Sequence, residues 1–212
     1  MTLRTYIASN DLESIRHVLS QNPELANEGL PYDDHNTTKA HPLHRICDDV
    51  FSKTITDDEA VEIAELFLNV GANVDGFGLV DSQDTPLVAA ASLQAEKVGS
   101  LYIEKGATIN HPGCYGGTAL HWAAWTGQDK LVRHLIEAGA DIHRQCTTFE
   151  GTPLLWAVHG LTSGSQPNRN NQIECVRLLL EAGADKSTPN KEGKAPVDLL
   201  DEDDTELRAL LR

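Results

Sequence analysis

Apolar residues recur along the chain at helical spacing, in short bursts separated by polar, glycine-containing turns. Val132, Leu135 and Ile136 make one such face, and Val176, Leu179 and Leu180 make another. Residues three and four apart share one side of a helix, so each burst predicts an amphipathic helix with one buried stripe. Residues 12–19 fit the same pattern near the N-terminus, after a short polar helix. Ahead of these bursts comes a second kind of helix, marked by small residues such as Ala89, Ala90, Ala123 and Ala124, which let neighbouring helices approach closely. Thr118 and Thr152 stand where a hydroxyl satisfies an orphan N–H at a helix start, and the proline beside Thr152 fits a first helical turn, where its missing N–H costs nothing. A glycine closes each second helix by supplying the left-handed conformation.

This punctuation is periodic. Gly-Ala followed by Asn, Thr or Asp begins at Gly71, Gly106, Gly139 and Gly183, with spacings of 35, 33 and 44 residues. Before these come His41-Pro42-Leu43-His44, Thr85-Pro86-Leu87, Thr118-Ala119-Leu120-His121 and Thr152-Pro153-Leu154. The paired signals resemble the TPLH and GAD/GAN signatures of ankyrin repeats, whose period is about 33 residues. The best copy runs from Gly117-Thr118-Ala119-Leu120-His121-Trp122-Ala123-Ala124 to Gly139-Ala140-Asp141.

The resemblance covers essentially the whole chain and implies an all-α fold: an ankyrin-repeat α-solenoid of stacked helix-turn-helix units with short β-hairpin loops, about six repeats in one domain. The expected units are an N-terminal capping repeat over 1–30, repeats over 31–76, 77–110, 111–143 and 144–187, and a C-terminal capping repeat over 188–212. The first exit departs from the pattern, with Asn22-Pro23-Glu24-Leu25-Ala26-Asn27 in place of the glycine turn and an irregular loop to about Thr38. Two repeats are stretched between their helices. Residues 48–57 include Val50, Phe51 and Ile55 and are expected to lengthen a helix, ending in a capping box at Thr56-Asp57-Asp58-Glu59. Residues 161–171 are rich in Ser, Gly, Asn and Pro and read as a mobile loop.

Composition narrows the function classes. The chain has 212 residues, 40% of them hydrophobic, which is enough for a real core. Its 32 acidic and 17 basic residues give a formal charge of −15. That charge argues against nucleic acid or an anionic membrane as a ligand and favours a protein partner with a basic surface, although acidity also serves solubility alone. Cys47, Cys114, Cys146 and Cys175 are scattered without a CxxC pair and read as reduced thiols. No apolar run reaches the length of a signal peptide or a bilayer span. The expectation is a soluble, cytoplasmic monomer without cofactor or metal.

No nucleophile elbow, phosphate loop, HExxH or zinc spacing occurs, and the expectation is no catalytic activity. His41, His44 and Asp48 could share a helix side and serve a metal-dependent enzyme. Against this, His44 and His121 occupy the TPLH histidine, which in the family hydrogen-bonds within and between repeats, and His41 replaces the capping threonine.

The aromatic residues give the binding hypothesis. In the family, the first helices and hairpin tips line a concave groove where partners bind. Trp122, Trp125 and Trp156 fall in the first helices of the fourth and fifth repeats, His159 is the counterpart of Trp125, and Tyr115 and Phe149 hold matching hairpin positions. Trp122 and Trp156 follow the TPLH-type motif directly and have two readings, packing between repeats or lining the groove. Trp125 is expected to face solvent. The matching positions in earlier repeats, Thr38, Asp48, Ser82 and Ser92, are polar. The leading function is a protein-interaction module, as an adaptor, inhibitor or immunity-type protein; the alternative is a small-molecule or peptide receptor using the aromatic groove.

Overall fold

The computed structural model describes residues 2–33, 35, 37–162 and 168–211. Among them lie eleven α-helices and one two-stranded antiparallel ribbon, and no helix is long and apolar enough to cross a membrane. Two compact units divide the chain, Met1–Val80 with Asp84–Thr108, and Asp81–Gln83 with Ile109–Arg212.

The first unit holds three helix pairs: α1 (Leu3–Ala8) with α2 (Leu12–Gln21), α3 (Pro42–Phe51) with α4 (Asp57–Asn69), and α5 (Pro86–Ser92) with α6 (Glu96–Glu104). The small, fully buried Ala89, Ala90 and Ala91 let α5 lie against α3, while α4 packs between α2 and α6. Tyr102 of α6 is buried whole, and its hydroxyl donates to the Leu43 carbonyl of α3 at 2.8 Å. The stretched segment of this repeat lengthens α3 to Phe51, and Thr56 and Glu59 form the reciprocal capping box that opens α4. Asp57 reaches further than its own helix. Its carboxylate accepts from Lys97 N at 2.7 Å and Val98 N at 3.2 Å, capping α6, whose own N-cap residue, Ala95, has no side chain for the task.

The exit from α2 is largely irregular, as expected, but it carries a short turn and a short ribbon at its base. A 3-10 turn over Pro23–Asn27 leads to β1 (Leu30–Pro31), which pairs with β2 (Lys39–Ala40). Two arginines anchor it. Arg45 donates to the carbonyls of Leu30 and Thr38 and pairs with Asp48 at 2.5 Å. Arg4 grips buried Asp49 with two nitrogens, at 2.6 and 2.7 Å, and donates through Nε to the Tyr32 carbonyl.

In the second unit α7 (Ala119–Thr126) pairs with α8 (Asp129–Glu137), and α9 (Pro153–Thr162) with α10 (Arg169–Glu181). A 3-10 turn over Pro196–Leu199 packs on α9. The final helix, α11 (Thr205–Leu210), is tied to α10 by Arg169–Asp204 and Arg177–Glu206. Composition suggested a loop from 161 to 171. At its edges Leu161 and Thr162 end α9, and Asn168 caps α10, which begins at Arg169; the centre of the expected loop, residues 163–167, lies outside the described residues.

The glycines that close the second helices have φ of 96°, 85°, 86° and 94° at Gly71, Gly106, Gly139 and Gly183, and open space where a Cβ would stand. Backbone conformation, not crowding, requires glycine there. After three of these turns, at Gly71, Gly106 and Gly139, a side-chain amide or carboxylate links successive repeats. Asn27 Oδ1 accepts from Asn73 N at 2.7 Å, Asp75 Oδ1 from Thr108 N at 2.8 Å, and Asn110 Oδ1 from Asp141 N at 2.8 Å.

Candidate functional site

The six aromatic and histidine positions singled out from the sequence all belong to the second unit, and the fold brings them into one cluster. Tyr115 sits at the tip of the turn Gly113–Gly117, with φ of 61°, and that turn is closed by Gly113 N donating to Gly117 O at 2.9 Å. The next tip is held by Cys146 N donating to Gly151 O at 3.0 Å. Successive tips are joined through the carbonyls of their aromatic residues. Tyr115 O accepts from Thr148 N at 3.2 Å, and Phe149 O accepts from Lys191 N at 3.0 Å. This places the Tyr115 and Phe149 rings 5.9 Å apart, with 54% and 38% of their surfaces exposed.

Behind the tips stand the indoles. Trp156, in the first turn of α9, is 3% exposed and meets Trp122 and Trp125 edge to face, each at 5.1 Å between ring centroids. Gly151 leaves room for it, since a Cβ there would come within 3.0 Å of the indole. Trp156 is therefore packed between repeats, with only a sliver of its ring at the surface. Trp122 is half-buried and touches Tyr115 at 6.2 Å. Trp125, expected to face solvent, is also half-buried, because the residue three places back on the same helix face is Trp122, and the two rings stack. His159 is exposed, with its ring 5.3 Å from Trp125.

Trp125, Phe149, Trp156 and His159 line a recess of about 290 Å³, completed by Leu155, Leu199 and the turn residues Asn190, Glu192 and Lys194. The turn residues and Leu199 were missed in the sequence, although a signal existed. Counting three residues back from each helix start gives Tyr115 before Thr118, Phe149 before Thr152 and Glu192 before Ala195. Lys191 Nζ lies 5.0 Å from the Phe149 centroid and donates to Thr148 O at 2.8 Å.

His121 and His41 are framework groups. His121 Nδ1 accepts from Thr118 N at 3.1 Å and from the Thr118 hydroxyl at 2.9 Å, while Nε2–H donates to Arg144 O and Gly151 O, at 3.1 and 3.2 Å. It thereby ties α7 to the next hairpin and sets the level of the Phe149 tip. Burial holds its pKa down to about 4, so the ring is neutral near pH 7. His41 Nδ1 accepts from Leu43 N at 3.3 Å, doing the work of the missing threonine, and Nε2–H donates to Asn27 Oδ1 at 3.2 Å. Burial, with His44 close by, brings its pKa down to about 4 as well. Both ring nitrogens of His41 are thus engaged, and Asp48 is paired to Arg45. Among the described residues no group of three or more His, Cys, Asp or Glu side chains is placed to hold a metal ion.

Comparison with known proteins agrees with this architecture. Residues 55–146 match the ankyrin-repeat family as three copies, and residues 151–191 match it as a further repeat, together more than half of the chain. The chain belongs to the ankyrin-repeat family. Among similar proteins, ankyrin repeat and SOCS box protein 6 of Mus musculus is 33% identical over 113 residues, 52% of this chain and 25% of that protein. Ankyrin repeat and SAM domain-containing protein 6 of Rattus norvegicus is 38% identical over 99 residues, 45% of this chain and 10% of that protein. Palmitoyltransferase Hip14 of Drosophila melanogaster is 32% identical over 91 residues, 43% of this chain and 13% of that protein. The chain thus spans a quarter or less of the length of these relatives, and the likeness lies in the repeats.

Proposed function

We infer that this chain is a non-catalytic protein-interaction module whose contact surface is the aromatic patch of the second unit. Its ankyrin repeats point to protein partners. The observation that carries the choice of surface is the pair of exposed rings, Tyr115 and Phe149, on consecutive turn tips in front of a packed indole cluster. Exposed aromatic side chains on a rigid base lose little conformational freedom when a partner covers them, and Tyr and Trp dominate binding hot spots. The base is rigid here because Trp156 and His121 are buried and fully engaged with neighbouring repeats.

The recess beside the patch argues for a protein side chain over a free small molecule. Its volume of about 290 Å³ falls just below the range for drug-sized ligands, about 300–1,000 Å³. The formal charge of −15 favours a partner with a basic surface over nucleic acid or an anionic membrane. The same reading makes the chain a cytoplasmic monomer that works by occupying a partner, as an adaptor or an inhibitor does.

The test uses exposed residues, so that folding is not confounded with binding. Tyr115→Ala and Phe149→Ala should each lower affinity for the partner by about 2 kcal/mol or more if they are hot spots. Glu137→Ala, on α8, should leave it unchanged. Equal affinity for all three variants would remove the aromatic patch as the contact surface.

A further inference from the structure

We propose that the recess walled by Trp125, Trp156 and Phe149 receives a cationic side chain, guanidinium or ammonium, from a basic protein partner. This rests on the aromatic patch being a protein-binding surface and adds the chemistry of the group that enters it. The walls are suited to a cation. Trp125 and Trp156 meet at 75° with centroids 5.1 Å apart, and the Phe149 ring stands 6.3 Å from Trp156. Aromatic faces carry the negative lobes of a quadrupole, and indole is the strongest of the natural rings in attracting a cation. One of these rings already does so, since Lys191 Nζ lies 5.0 Å from the centroid of Phe149.

The rim supplies a counter-charge held by a weak internal competitor. Glu192 lines the recess and pairs with Lys194, Nζ to Oε2, at 3.3 Å. Both side chains are more than half exposed, and such surface pairs contribute little. A partner's cation can therefore take the place of Lys194 at small cost. Two further polar groups line the recess: His159, whose ring lies 5.3 Å from Trp125, and Asn190, whose Oδ1 already accepts from Glu192 N at 2.9 Å and Lys194 N at 3.0 Å. An anionic ligand would use Lys194 instead, but it would meet a chain of formal charge −15.

Four peptides, acetyl-Ala-Ala-X-Ala-Ala-amide with X as Arg, citrulline, Leu or Glu, decide the matter when titrated into the full chain. The readout is the indole N–H resonances of Trp122, Trp125 and Trp156. The Arg peptide should shift Trp125 and Trp156 and bind about tenfold more tightly than the citrulline peptide, which keeps the shape and loses the charge. Glu192→Gln should weaken the Arg peptide several-fold. Lys194→Met should strengthen it, because the competitor is gone. Both variants should melt at the wild-type temperature.

The proposal is overturned if the Leu or Glu peptide binds as tightly as the Arg peptide, if Lys194→Met weakens the Arg peptide, or if none of the four shifts the indoles at millimolar concentration. A win for the Leu peptide would leave the protein-binding surface standing with an apolar anchor. A loss of partner contact at Tyr115 and Phe149 would strike the surface itself.

Discussion

The indole of Trp122 stacks, laterally offset, on that of Trp125, ring centroids 5.8 Å apart and planes inclined by 14°. The stack makes Trp125 part of the support for the site as well as part of its surface. Trp156 completes the support from the next repeat, edge-on to both rings.

The three tryptophans should therefore separate by stability. Trp156→Ala leaves a buried void and should cost about 3–5 kcal/mol. Trp125→Ala removes a half-buried ring and one stacking partner, and should cost about 1–2 kcal/mol, since aromatic pairing adds about 0.5–1.5 beyond burial. Urea denaturation of both variants gives the order. Equal losses would mean that Trp125 is as deeply packed as Trp156.

A second prediction concerns the side chains that link successive repeats. Asn110 Oδ1 accepts from Asp141 N at 2.8 Å, and Nδ2 donates to Gly139 O at 3.2 Å. Asn110→Ala should cost about 0.5–1.5 kcal/mol. Asn110→Asp keeps the acceptor and should recover part of the loss. Full recovery by Asp would show that the bond to Gly139 adds nothing.

Much of the repeat architecture was legible in the sequence, because its signals are local. Gly71, Gly106, Gly139 and Gly183 are demanded by their own φ, and Thr85 and Thr152 act within one helical turn. What escaped was whatever depends on where a neighbouring repeat arrives. Asp57 reads as part of its own capping box, yet its carboxylate caps α6. The carbonyls of Leu30, Tyr32 and Thr38 look uncommitted in the sequence because the arginines that bind them, Arg4 and Arg45, lie elsewhere in the chain. The aromatic positions at the tips could be counted from the helix starts. The stacking that half-buries Trp125, and the turn bearing Glu192 and Lys194 that closes the recess, required the packed helices.

The Arg4–Asp49 pair yields a third prediction. Asp49 is 1% exposed and Arg4 holds both carboxylate oxygens. Burial pushes the Asp49 pKa up, and the guanidinium opposes that shift. Arg4→Met would strand the carboxylate and should cost about 3–5 kcal/mol. Amide exchange at Leu30 and Lys39 should accelerate, because Arg4 also holds the Tyr32 carbonyl. A variant as stable as wild type would show that the pair is dispensable.

Acid should destabilise the fold before the carboxylates are neutralised. His41 and His121 have folded pKa values of about 4, against about 6.5 in the unfolded chain. Between those values the unfolded chain binds more protons, so stability is full above about pH 6.5 and falls as the pH drops toward about 4. His44 shifts in the same direction, again through burial. Urea midpoints should decline steadily from pH 7 to pH 4.5, and His121→Asn should flatten that decline without abolishing it. A pH-independent midpoint across this window would contradict the neutral, buried assignment.

The central claim is that partners meet the second unit at its aromatic turn tips. Photo-crosslinking tests it most directly, with a benzophenone amino acid placed at 115, 149, 137 or 181 in the full chain and activated in the native host cell. Positions 115 and 149 should give the same discrete adduct, lost on Glu192→Gln or Trp125→Ala in proportion to their effect on binding, while 137 on α8 and 181 on α10 give none. Adducts at 137 or 181 with none at 115 and 149 would contradict the account.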